Sequence, residues 1–186
     1  MTSLAVDVDI VLRSSLWSRG RPRLRALLRK AARLAVARGM TAAGITEAGR
    51  VELGITLTDD QEQARLNRLY RRTDGPTNVL SFPTARAVRR PPQMPLILGD
   101  IVLAFETTAR EAREQQKPVA DHLRHLVVHG VLHLIGFDHE SQSQAQAMES
   151  LEQSILAELG VPDPYRDTMS SSGVQTNPHE RYRAAR

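Results

Sequence analysis

An α+β fold, a small mixed sheet of about four strands packed with about five helices, is predicted by three observations. Apolar residues alternate at period two in some stretches and recur at helical spacing in others, in the order β-α-β-α-β-β-α-α-α. The 186 residues suffice for one domain with a real core and are too few for two. Cysteine is absent, which excludes disulfides and thiolate metal sites and leaves His, Asp and Glu as the available ligands.

Leu4, Val6, Val8, Ile10 and Leu12 alternate as a first strand. Pro22 suits the first turn of a helix whose apolar stripe is Leu24, Leu27, Leu28, Ala31, Leu34 and Ala35, with Gly39 expected as its end. A loop follows over 39–49, then a second alternating strand through Val51, Leu53, Ile55 and Leu57. Asp59 and Glu62 have capping-box spacing and open a helix to about Tyr70. A polar turn leads to a short strand at 78–82, and residues 84–95, with Arg86, Arg89, Arg90 and three prolines, read as a basic mobile loop.

Residues 96–104 read as a buried strand interrupted by Gly99-Asp100, and a helix is expected over 106–116. Pro118 marks the start of the next helix, which Gly136 ends. Met148, Leu151, Ile155 and Leu159 give a last helix over 141–159, with Gly160 as terminator. Residues 1–162 are expected to form the domain and 163–186, rich in serine and scattered charge, a disordered tail.

The net charge is +4, and 23 of the 25 basic residues are arginine. Nine basic residues and no acid stand between Arg13 and Arg38, which suits either a solvated helix face or an RNA-facing surface. Asp7 and Asp9 inside the first apolar stretch, with no basic start, are unlike a signal peptide. No run reaches the ~18 apolar residues of a membrane span. A soluble cytoplasmic protein with no membrane partner is expected.

The chemistry concentrates in residues 129–139, where His129, His133 and His139 stand in one run with Gly136. His129 and His133 lie one helical turn apart on one face, so two imidazoles can meet one ion. His125 shares that row, but eight residues of helix span roughly 12 Å. Ligands of a tetrahedral zinc, with bonds of about 2.0–2.1 Å, sit only about 3.4 Å from each other. Three ligands on one straight helix cannot converge, so His139 is the better third ligand. His122 and His125 are expected on the helix face or behind the ligands.

Neutral imidazoles suit Zn²⁺ and other late divalent ions, and three protein ligands leave a coordination position open, as in catalytic sites. Such a position lowers the pKa of bound water toward ~7. The spacing matches the metzincin pattern His-Glu-x-x-His-x-x-Gly-x-x-His, except that Gly130 replaces the general-base glutamate. Peptidase chemistry is therefore disfavoured. Asp138 either supports His139 or caps the following helix, the second being preferred.

His129-Gly130-x-Leu132-His133-Leu134-x-Gly136-x-Asp138-His139 resembles the signature of the YbeY family of bacterial rRNA maturation factors. Two further blocks agree: Leu66-Asn67-x-x-Tyr70-Arg71-x-x-Asp74-x-Pro76-Thr77-Asn78-Val79-Leu80-Ser81-Phe82-Pro83, and Leu98-Gly99-Asp100-Ile101. The resemblance implies an α+β fold with a metal site in a cleft, His129, His133 and His139 as ligands of one zinc-type ion, and Arg71 as a functional arginine. It also implies a metal-dependent, single-strand-specific endoribonuclease that matures the 3′ end of small-subunit rRNA, serves ribosome quality control and associates with ribosomal RNA and the small subunit.

The residues agree with that implication. Phosphodiester cleavage adds negative charge to phosphoryl oxygens, which a metal and an arginine fork can share. The competing role for Arg71 is a structural ion pair to Asp74 or Asp100. Metal-bound hydroxide and the RNA 2′-hydroxyl both remain compatible nucleophiles, and no general base stands out. The rival functions are a non-catalytic ribosome-assembly factor with a structural metal, and a metal hydrolase of another substrate such as a peptide.

Overall fold

The computed structural model describes residues 4–18, 22–46, 49–84 and 94–165. The alternating stretches form β1 (Ala5–Leu12), β2 (Arg50–Thr58), β3 (Val79–Pro83) and β4 (Leu96–Ala104). The helical ones form α1 (Leu24–Ala42), α2 (Asp60–Arg71), α3 (Phe105–Glu114), α4 (Val119–Ile135) and α5 (Gln142–Glu158). The strands join in one sheet in the order β1-β2-β4-β3, parallel except for the antiparallel β3–β4 pair. The expected α+β architecture holds, with a single 3₁₀ turn at Ser15–Trp17 added. That turn buries Trp17, whose Nε1 donates to the Thr58 carbonyl at 2.6 Å.

Alternation sorts the sheet into two faces. Val8, Ile10, Leu53, Ile55, Ile101 and Leu103 enter a core shared with Leu28, Ala32, Leu126 and Val131 of α1 and α4. The intervening Asp7, Asp9 and Asp100 stay exposed. The Gly99-Asp100 interruption is a bulge, since Glu52 opposes Ile97 while Leu53 opposes Gly99, leaving Leu98 between them.

Gly39 does not end α1, which continues to Ala42. A Cβ there would sit 2.6 Å from Ile135 Cδ1 and 3.0 Å from Leu132 Cδ2, so the glycine is where α1 presses on α4. Close approach, not termination, explains the residue. Gly39→Leu should therefore lower stability by roughly 1–3 kcal/mol through overpacking, despite its better helix propensity. A lower urea midpoint checks this; an unchanged or raised midpoint would show that α4 yields.

Asp59 caps α2 by accepting from the Glu62 N–H at 3.0 Å, while the Glu62 carboxylate turns to Arg65. α5 is capped by Ser141 and Gln144 in a reciprocal capping box. The expected capping role of Asp138 is thus corrected: its Oδ1 accepts from the His139 N–H at 2.8 Å, two residues before the true cap. Of the expected tail, 163–165 pack back on the domain: the Lys117 ammonium donates to the Pro164 carbonyl at 2.8 Å, and Gln153 donates to Asp163. Residues 166–186, and most of the basic loop expected at 84–95, lie outside the described residues. No helix among the described residues is long and apolar enough to cross a membrane.

Candidate metal centre

α4 delivers His129 and His133 in its last two turns, and Gly136 at φ 110° ends it in the left-handed conformation. The chain then turns back within three residues, which sets His139 beside the other two. The ligand-capable nitrogens of His129, His133 and His139 all lie within 4.8 Å of one another. His129 Nε2 and His133 Nε2 are 3.0 Å apart. The His139 ring lies 5.9 Å from that of His129 and 5.0 Å from that of His133. A groove of about 410 Å³ opens beside His133, between Ala43, Pro83, Thr84 and Phe137.

The orientation of the rings fits a metal. Glu152 Oε1 lies 2.7 Å from His129 Nδ1, so Nδ1 carries the proton and Nε2 presents its lone pair to the cluster. The backbone of Phe137 hydrogen-bonds the His133 ring. Burial, reinforced by His129 and His139, drives the His133 imidazole far below its usual pKa and keeps it neutral. Neutral imidazole is the form that ligates.

Glu152 is only 1 % exposed. Burial alone would raise its carboxyl, but the facing His129 and His125 rings, with the hydrogen bond to His129 Nδ1, outweigh it and hold the group ionised. Its Oε2 accepts from the Tyr165 hydroxyl and lies 3.6 Å from His125 Nε2. Sequence reasoning missed this residue. The available signal was an acid on the buried row of α5, four residues after Met148 and three before Ile155.

His125 stays out of the converging set, as helix geometry required, and lies behind it against Glu152 and the Tyr165 ring. His122 sits further back, with Nε2 2.9 Å from Glu111 Oε2. A Cβ on Gly130 would meet Ile101 Cδ1 at 3.0 Å and Ser81 Oγ at 3.1 Å. The position that holds the protease glutamate therefore faces the sheet, with no room for that side chain.

Arg71 is the last residue of α2, beside Tyr70, whose ring packs edge-on against Phe82 of β3 at 5.0 Å. The candidate ion pairs of Arg71 are not made. Asp74 pairs with Arg68 at 2.8 Å, and Asp100 lies over Gly54. The Arg71 Nε is buried without a hydrogen-bond partner among the described residues, and desolvation pushes the guanidinium down to about 10. The structure forms the histidine cluster but no bond from Arg71 to it.

The buried titratable groups set an acid limit on the metal-free chain. His133 and His125 have depressed folded pKa values, so below about 6.5 the unfolded chain takes up protons that the folded chain refuses. Glu152, also depressed, adds stability that is lost as pH falls further. All three act in the same direction. After chelation, the urea midpoint should fall between pH 7.5 and 5, and a flat profile would contradict this.

A four-stranded mixed sheet carrying three convergent histidines on a helix and its following turn defines an α+β protein with a candidate open metal centre. Residues 23–160 match the model of the family described as Endoribonuclease YbeY, and the chain belongs to that family. It is 55 % identical over 117 residues to Endoribonuclease YbeY of Rhodopseudomonas palustris, covering 62 % of this chain and 68 % of that one. It is 43 % identical over 165 residues to the Endoribonuclease YbeY of Paramagnetospirillum magneticum, covering 88 % and 98 %. The solution structure of TM1509 from Thermotoga maritima superposes with a TM-score of 0.50 at 22 % identity, over 91 % of this chain and 98 % of that one, and shares the fold.

Proposed function

We propose that this chain is a metal-dependent, single-strand-specific endoribonuclease that matures the 3′ end of small-subunit rRNA and serves ribosome quality control in the cytoplasm. Its partners are ribosomal RNA and the small subunit. The observation that carries the reading is the convergence of three imidazole nitrogens within 4.8 Å, in a chain of the YbeY family. His129, His133 and His139 hold one divalent ion, zinc by the preference of neutral imidazole. Bound there, the ion supplies Lewis-acid stabilisation of charge growing on phosphoryl oxygens.

The remaining work falls to the protein's own groups. Glu152 retains the proton on His129 Nδ1 and fixes the ring, and the Phe137 backbone does the same for His133. Arg71, whose Nε has no hydrogen-bond partner among the described residues, brings its guanidinium to the phosphodiester and binds two of its oxygens through the fork. The groove beside His133 admits an unpaired strand.

Purified protein freed of contaminating nuclease should cut a small-subunit rRNA precursor. His133→Ala should lower cutting by about 10²-fold or more and reduce bound zinc, measured by elemental analysis. Equal cutting by His133→Ala would remove the catalytic claim. The deep burial of His129 and His133, 3 % and 5 % exposed, favours one alternative, an assembly factor with a structural metal. That protein would retain zinc and bind the small subunit without cutting.

A further inference from the structure

The basic run of α1 is not simply a solvated helix face. Arg25, Arg29 and Arg33 recur at every fourth position, so they share one face with about 6 Å of helix axis between successive residues. β1 lies at the edge of the sheet, where alternate carbonyls have no strand to pair with. Arginine supplies the donors instead. Arg25 Nη1 donates to the Ile10 carbonyl at 2.5 Å, Arg29 Nε to Val8 at 3.4 Å, and Arg33 Nε to Val6 at 3.1 Å.

Each bond occupies one of the five N–H donors of a guanidinium and holds the group in place. Asp7 and Asp9 alternate with the acceptor residues on β1, but no carboxylate pairs with the three guanidiniums among the described residues. Arg38, Arg50, Arg65, Arg68, Arg110 and Arg124 all reach carboxylates. Arg25, Arg29 and Arg33 make no ion pair among the described residues, and the sequence has no acid from Arg13 to Arg38. Blocking an edge strand requires a hydrogen-bond donor but not three like charges one turn apart, which repel each other. A row of anions removes that repulsion.

We propose that Arg25, Arg29 and Arg33 form a binding ridge for the phosphodiester backbone of a single-stranded RNA, apart from the histidine cluster. The β1 carbonyls orient the guanidiniums in advance, so little side-chain entropy is lost on binding. Ala43, just beyond the end of α1, borders the groove beside His133. Arg33 precedes it by ten residues, about 15 Å along the axis. The ridge therefore engages nucleotides flanking the cleavage site, an inference that rests on the ribonuclease reading above.

The test uses the full chain and a labelled, non-cleavable 2′-O-methyl RNA of about twenty nucleotides, a few times longer than the ridge. Affinity is followed by anisotropy against salt concentration. Each lost phosphate contact lowers the slope of log K against log salt by about 0.7 for a single strand. R25Q/R29Q/R33Q should lower it by about 2, and R33Q alone by about 0.7. Cutting of a trinucleotide, whose two steps of about 3.4 Å when stacked fall well short of the roughly 15 Å from groove to Arg33, should stay within about two-fold of wild type.

An unchanged slope in both variants, with the trinucleotide still cut, overturns the ridge and leaves an edge cap, while the ribonuclease reading survives. A wild-type chain that neither binds nor cuts overturns both. Should the triple variant self-associate through its uncapped edge, seen by light scattering, the slope of R33Q alone decides.

Discussion

Glu152→Ala is expected to weaken zinc binding about 10–100-fold and to destabilise the metal-free chain as well. The carboxylate is 1 % exposed and serves three groups at once: His129 Nδ1 at 2.7 Å, the Tyr165 hydroxyl, and His125 Nε2 at 3.6 Å. Truncation removes the acceptor from the buried His129 N–H and from the half-buried Tyr165 hydroxyl. Losing the acceptor of a buried donor costs up to roughly 1–3 kcal/mol, and the half-buried hydroxyl, open to water, costs less. The His129 ring also loses what fixes its tautomer, and with it the certainty that Nε2 faces the ion.

Glu152→Gln separates the two effects. The amide oxygen still accepts from His129, so orientation is partly kept while the negative charge behind the ligand is lost. Zinc affinity, read by chelator competition, should fall in the order wild type, Gln, Ala. The urea midpoint after chelation should follow the same order. Wild-type zinc affinity in Glu152→Ala would mean that His129 is held by the helix alone.

The residues easiest to anticipate were those whose partners are close in sequence. His129 and His133 share a helix face, and Gly136 reverses the chain within reach of His139, so local geometry decides the cluster. Glu152 was hidden because its burial depends on α5 packing against α4, and its neighbours Met148, Leu151 and Ile155 read as an ordinary apolar stripe. Gly39 was misread for the same reason. A terminating glycine and one that admits a neighbouring helix look alike until Ile135, nearly a hundred residues later, is placed against it.

The arginines of α1 posed a different difficulty. Their acceptors are backbone carbonyls of β1, which carry no side-chain identity that a sequence could display. Strand order made the difference, because only an edge strand has carbonyls to offer. Arg71 lay between these cases. Its neighbours Asp74 and Asp100 suggested ion pairs, but one carboxylate is taken by Arg68 and the other lies over Gly54.

Arg71→Met should abolish most RNA cutting without lowering stability, and the combination distinguishes a phosphate ligand from a structural cation. The Nε of Arg71 is buried without a partner among the described residues, and desolvation has already pushed the guanidinium down to about 10. A buried, unpaired polar group costs the folded state free energy, so an apolar chain of similar length should leave the urea midpoint unchanged or raise it. An arginine held by a carboxylate would behave oppositely, its loss leaving the acid stranded.

Cutting should fall about 10²–10³-fold if the guanidinium stabilises charge on the phosphoryl oxygens, the range for loss of one preorganised donor. Zinc content should not change, because no bond joins Arg71 to the three histidines. Arg71→Lys should restore little, since an ammonium cannot give the two parallel bonds of the fork. A Met variant that loses both stability and cutting would make Arg71 structural. One that retains cutting would place the phosphate contact elsewhere.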